Sequence, residues 1–296
     1  KAPREFPSHS FMSRLFAPTL IVLFWITQMG NTAPVPAAVV EQAVADYLAV
    51  RPVEGIGAGL ALSEALAAQR RFVALLEPRL GRPVGYKVGL VTRESQERYR
   101  VNAPVRGVLL SGMLLQDGAE VPLGFAVKPI CEADLMVVVK DKRIHRARTP
   151  REVLKYLKEV VAFIELPDGV LSTNQPVDGA ALVAVNVGAR LGVIGSRLPV
   201  RADEDFAKLL ELMTVTMTDQ DGRELGRATG RAILDHPLNA VLWLAEELAH
   251  EGISLKPGDL ISLGSVKNIA PVAGQTVTVT YTGLPGGPLR ATVRFK

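Results

Sequence analysis

Apolar positions repeat at helical spacing over residues 39–49, through Val40, Ala43, Val44, Tyr47 and Leu48, and predict a first amphipathic helix. A second is expected from Ser63 to Leu76, where Leu66, Ala67, Arg70 and Val73 repeat similarly, with Ser63 as its cap and Pro78 as its end. Past Pro78 the period shortens. Runs rich in β-branched and apolar residues, separated by Gly and Pro, predict strands at 84–90, 107–115, 133–139, 181–194, 260–264, 276–281 and 291–295. The clearest is the alternation of Val277, Val279 and Tyr281 with Thr276, Thr278 and Thr280, which marks a strand with one buried face.

Two further helices interrupt this β-rich region. One opens with Thr149, Pro150 and Glu152, a capping-box pattern with proline at the first helical position. The other runs from Pro237 to about His250 and stops at Gly252. Strands that do not alternate regularly with helices predict an α+β or β-roll architecture over a doubly wound sheet. Gly55, Gly57 and Gly59 form a GxGxG, but no apolar strand precedes it and Pro52 stands just before it, so it reads as a connector and not a dinucleotide loop.

The N-terminal segment has its own pattern. After Met12 come Ser13 and Arg14, a twelve-residue apolar stretch at 15–26, and small residues ending in Val35, Pro36, Ala37 and Ala38. That order is expected of a cleaved secretory signal, with cleavage near Ala37, and predicts a periplasmic or secreted protein without stable membrane insertion afterwards. Residues 1–11 read as upstream sequence, and a misassigned start would make the protein cytoplasmic. The expected organisation is therefore residues 1–37 as leader, 38–80 as a helical lead-in, and 81–296 as the β-roll domain.

Composition narrows the class. A chain of 296 residues, 48% hydrophobic and 22% charged, has enough apolar residues for a sizeable core and is neither disordered nor low-complexity. Its net charge of +4 includes +2 from residues 1–37, and the remaining basic residues are scattered among acidic ones, which argues against nucleic acid as a partner. A single cysteine, Cys131, excludes an intrachain disulfide and any Cys-based metal cluster. There is no HExxH, GxSxG or Walker A motif, and the four histidines form no spaced pair.

The candidate chemistry lies in carboxylates. Glu132 and Asp134 are separated by one residue at the head of an apolar strand, so the two-residue period points both to one face. Two anions so placed repel unless something positive lies between them, and an all-oxygen set favours a hard cation such as Mg2+ or Mn2+. Glu165 ends the apolar run 160–164 and is the third candidate; edge-strand charges paired with Lys140 and Arg143 are the alternative. Lys87, inside Gly85-Tyr86-Lys87-Val88-Gly89-Leu90, is costly to bury unless a carboxylate pairs it; otherwise it snorkels to the surface.

In order and spacing these pieces resemble one family. Residues 68–71 (Ala-Gln-Arg-Arg), the GYKVGL segment, Glu132-Ala133-Asp134, Glu165 after the Thr-Pro helix, Asn186 with Gly195, His236-Pro237-Leu238-Asn239 and Pro257-Gly258-Asp259-Leu260 are similar to the 2-oxopent-4-enoate (2-keto-4-pentenoate) hydratase and oxalocrotonate decarboxylase group of the fumarylacetoacetate hydrolase superfamily. The resemblance covers most of residues 60–285 and implies a mixed β-roll/sandwich with a small helical N-terminal subdomain. It implies Mg2+ or Mn2+ on Glu132, Asp134 and Glu165, Lys87 as the catalytic residue, a short 2-oxo acid as substrate, and a homo-oligomer.

The chain departs from the family pattern at telling places. Asp134 stands where a glutamate is usual, Pro104-Val105-Arg106-Gly107 where hydratases often read Pro-Asp-Phe-Gly, and Val187, Gly188, Ala189 and Arg190 where a serine pair is common. Arg106 and Arg190, with Gly264 and Ser265, are the candidate substrate contacts, the two arginines for an extra carboxylate. The expected activity is a metal-dependent hydratase; a decarboxylase or carbon–carbon hydrolase of an oxo diacid, and an exported oxo-acid-binding protein without turnover, are the alternatives.

Overall fold

The computed structural model describes residues 34–296. The apolar stretch 15–26 and the signal reading built on it lie outside the described residues; among those described, no helix is long and apolar enough to cross a membrane.

Helices α1 (Ala37–Leu48) and α2 (Leu62–Leu80) lead into β1 (Pro83–Gly89), the short α3 (Arg93–Arg98), β2 (Val105–Leu110), β3 (Leu114–Gln116) and β4 (Ala119–Val121). Then follow β5 (Cys131–Val139), α4 (Pro150–Leu154), β6 (Leu157–Leu166), α5 (Gly179–Ala184) and β7 (Leu191–Pro199). The chain closes with α6 (Glu204–Leu212), β8 (Thr214–Thr218), β9 (Glu224–Thr229), α7 (Pro237–His250), β10 (Leu260–Ile269), β11 (Thr276–Thr282) and β12 (Leu289–Phe295).

The strands form a seven-stranded mixed sheet in the order β2-β1-β10-β5-β6-β7-β3 and a five-stranded sheet in the order β4-β12-β11-β8-β9. Strands β11 and β12 pack across β6 and β7, so the two sheets face each other. The alternation in β11 serves this contact: Val277, Val279 and Tyr281 are fully buried in the main core with Phe163's neighbours Ala162 and Ile164, and the threonines between them are not. A second core joins α1, α2 and α5 to β2 through Tyr47, Phe72, Leu76 and Leu110. A third, small cluster of Leu109, Met136, Val138, Val161 and Phe163 covers the opposite face of the central strands.

Local signals hold with exceptions. Thr149 caps α4 by accepting from Glu152 N at 3.2 Å, while the Glu152 carboxylate reaches one residue further back than a capping box requires, to Arg148 N at 2.7 Å. His236 caps α7, its Nδ1 accepting from Leu238 N at 3.0 Å and its Nε2 facing Ala207 O at 3.1 Å, so a single neutral tautomer satisfies both. Helix α2 runs through Pro78 and stops at Gly81, whose φ of 80° breaks the helix.

The strand expected at 181–194 is a correction. Its first half is helix α5, capped by Asp178 accepting from Ala181 N at 2.9 Å, and only its second half is strand β7. An apolar run buried on all sides carries no periodicity that separates helix from strand.

Candidate active site

Register alone brings the charged residues of the central sheet together. Lys87 on β1 is the partner of Ser262 on β10 and of Gly107 on β2. Glu132 on β5 is directly opposite Glu165 on β6, and Asp134 is opposite Phe163. Because paired residues share a face and the period is two, Lys87, Ser262, Glu132, Asp134 and Glu165 all project from the same side of the sheet. The third apolar cluster continues that face and closes one side of the site.

Lys87 is buried, and its ammonium is held by an ion pair to the Glu165 carboxylate and by donation to the carbonyl of Val187 at 3.1 Å. An ammonium has three N–H donors, so one remains for a ligand. Its stem needs Gly107: a Cβ there would lie 3.0 Å from Lys87 Cγ, 3.2 Å from Cδ and 2.7 Å from Asn186 O.

The Val187 carbonyl is delivered by an unusual turn. Asn186, Val187 and Gly188 have successive φ values of 58°, 54° and 63°, and a β-branched residue in that region is strained. Tertiary bonds impose the conformation. The buried Asn186 amide accepts from Val108 N at 2.7 Å and donates to Val108 O at 2.9 Å, so it extends the edge of β2, and Gly188 O accepts from Asp168 N at 2.9 Å just beyond β6. Sequence reasoning missed this turn and Gly107. Only the run Asn-Val-Gly hinted at a left-handed segment.

Asp134 has no exposed surface. Its Oδ1 accepts from Leu263 N at 3.2 Å and Gly264 N at 3.0 Å, and its Oδ2 accepts from the Ser262 hydroxyl. Its own carbonyl accepts from the Tyr281 hydroxyl, which lies 3.1 Å from Phe163 O as well. Burial, then the charge of Glu165, pushes the Asp134 carboxyl up to about 7 and Glu132 to about 8.

Three carboxylates face one ammonium, a surplus of negative charge that a divalent cation would offset. The hard-oxygen donors Glu132 and Glu165, set opposite each other, fit Mg2+ or Mn2+, which commonly use one or two carboxylates and keep water in the remaining positions. Among the described residues, however, no three acidic, His or Cys side chains converge as a ready ligand set.

The two arginines expected at the substrate are elsewhere. Arg106 is the partner of Val88, so it points to the face opposite Lys87, where it is buried, ion-paired with Glu251 and 3.3 Å from Gln69 Oε1. Arg190 is a strut: its Nε donates to Phe125 O at 2.7 Å, its guanidinium donates to Tyr47 O at 2.6 Å, and it stacks 4.2 Å over the Tyr47 ring. Alternation along the strand, invisible without its register, decides the first; the N-terminal helix decides the second. Gly264 touches the site only through its N–H to Asp134, and the Ser265 hydroxyl donates to Lys267 O at 3.1 Å.

No protein-family model matches the chain. It is 32% identical over 212 residues to the 2-keto-4-pentenoate hydratase of Burkholderia vietnamiensis strain G4, covering 71% of this chain and 78% of that protein. It is 28% identical over 209 residues to a 4-oxalocrotonate decarboxylase of Pseudomonas putida, covering 70% and 77%. In structure it matches the 4-oxalocrotonate decarboxylase of Pseudomonas putida G7, solved with magnesium and adipate, with a TM-score of 0.76 over 88% of this chain and 97% of that one at 24% identity. On this sequence similarity, the chain belongs to the 2-keto-4-pentenoate hydratase and 4-oxalocrotonate decarboxylase group and is an enzyme of that kind.

Proposed function

We propose that the chain is a divalent-metal-dependent lyase that hydrates a short 2-hydroxydienoic or 2-oxo acid such as 2-oxopent-4-enoate. The observation that carries this reading is the buried Lys87, tied to Glu165 and Val187 O with one donor left over, on the same face as Glu132. Glu132 and Glu165 are the residues that would hold Mg2+ or Mn2+, and the chemistry such an ion supplies when bound is polarisation of an adjacent oxo oxygen.

The chain's own groups do the rest. Glu165 holds the Lys87 ammonium in place, and the free N–H of Lys87 binds the substrate carboxylate or carries the proton that a dienol accepts at its terminal carbon before water adds at C4. Val187 and Val105, both buried beside Gly89, keep this side of the site apolar, which strengthens each charged contact within it.

Val105 also favours a second reading. Opposite Gly89 it offers no proton, so Lys87 is the titratable donor that this edge of β2 leaves to the site. Loss of carbon dioxide from an oxo diacid needs an electron sink and a single proton returned to carbon, and is compatible with that set.

Calorimetric titration of oxalate, a mimic of an enolised 2-oxo acid, tests both. Binding that requires Mg2+ and disappears on chelation and in Glu132→Gln supports the site; equal binding in all three conditions contradicts it. We also propose that residues 12–37 direct export, which N-terminal sequencing of the protein recovered from periplasm or medium checks.

A further inference from the structure

Strands β5 and β10 keep unequal step. Between Met136 and Asp134, β5 advances two residues, while β10 advances three, from Ser262 to Ser265. The extra residue makes a β-bulge, and a bulge frees backbone N–H groups that must find other partners when buried. Leu263 and Gly264 find the Asp134 carboxylate, at 3.2 Å and 3.0 Å on the same oxygen, and the other oxygen takes the Ser262 hydroxyl. Two donors occupy both lone pairs of Oδ1, and the side chain has no exposed surface.

The bulge is also pinned from above. Gly264 has φ of 109°, and a Cβ there would meet the Val91 side chain at 2.4 Å and Val88 O at 3.1 Å, so β10 touches the segment that follows Lys87. From below, Tyr281 of the facing sheet donates to the carbonyl of Asp134. A longer glutamate would have to displace one of these neighbours to make the same bonds.

We propose, resting on the metal reading above, that Asp134 is a positioning residue and not a metal ligand. Its carboxylate closes the β10 bulge and fixes Gly264 and Ser265 beside the site, while Glu132 and Glu165 are the two carboxylates that hold the divalent cation, with water completing its shell.

The test is calorimetric titration of Mg2+ alone into the full chain and its variants. Asn in place of Asp134 can still accept both backbone N–H groups, so Asp134→Asn keeps Mg2+ affinity within about threefold, whereas Glu132→Gln and Glu165→Gln each weaken it by about tenfold or more. With Mg2+ present, oxalate binding weakens by about tenfold in Asp134→Ala and is restored in Asp134→Asn, a rescue that general loss of stability does not produce. Mg2+ affinity falling in Asp134→Asn as far as in Glu132→Gln overturns the assignment of Asp134. Wild-type protein that binds no Mg2+ defeats the metal reading itself, and this inference with it.

Discussion

The ammonium of Lys87 and the carbonyl of Val187, one hundred residues apart in the chain, are joined by a hydrogen bond of 3.1 Å. Val187 reaches that position only because Asn186 anchors the strained turn to both backbone groups of Val108. Asn186→Ala leaves those buried groups unpaired, at a cost of about 2–4 kcal/mol, and is expected to slow turnover by more than about tenfold. Thermal melts and initial rates on one preparation check this; a lower melting temperature with the wild-type rate would separate Asn186 from Lys87.

Gly107→Ala places a methyl group 2.7 Å from Asn186 O and 3.0 Å from Lys87 Cγ, so Lys87 must leave its rotamer. Turnover is expected to fall by more than about tenfold. Gly124→Ala, which meets nothing within 4 Å, serves as the control and keeps full activity.

Metal and pH are linked with a definite sign. Asp134 and Glu132 have carboxyl groups raised by burial, to about 7 and about 8. An acid raised in the folded state contributes stability that is complete below its unfolded value and is lost as pH rises through its folded value. Metal-free protein therefore loses this contribution between about pH 4 and pH 8. A cation on Glu132 requires the ionised carboxylate, so its effect has the opposite slope: Mg2+ at about a hundred times its Kd raises the melting temperature by roughly 5–10 °C at pH 8 and by much less at pH 5.5. Melts with Mg2+ and with chelator across that range check the slope, and an Mg2+ shift that grows toward low pH contradicts it.

Arg190 binds the protein's own backbone, at Phe125 O and Tyr47 O. Arg190→Ala is expected to cost about 2–4 kcal/mol through the loosened α1 while leaving the preference between mono- and dicarboxylic substrates unchanged. Comparing KM for the two substrate classes decides; a selective loss of the diacid would return Arg190 to the site.

Much of the site's raw material was legible in the chain. Glu132 and Asp134 share a face because they are two residues apart on an apolar strand, and the structure places them so. Which residues Lys87 meets was not legible: Glu165 becomes its partner across two intervening strands, in the order β1-β10-β5-β6, and strand order is a matter of topology. The resemblance placed Asp134 among the ligands, but the bulge opposite it supplies three donors that no local pattern announces. The side of the sheet taken by Arg106 depends on its pairing with Val88, and the helix within 181–194 on the cap at Asp178. The periodic elements, β11 and α7, were the readable ones because each buries a single face.

The most direct measurement follows the absorbance of 2-hydroxypenta-2,4-dienoate in the presence of purified chain, with Mg2+ and then with chelator, beside Lys87→Met. Loss of the dienol absorbance that needs Mg2+ and vanishes in Lys87→Met, with hydrated product recovered, is the expected result. Turnover unaffected by chelation or by loss of the ammonium would contradict a site built on Lys87, Glu132 and Glu165.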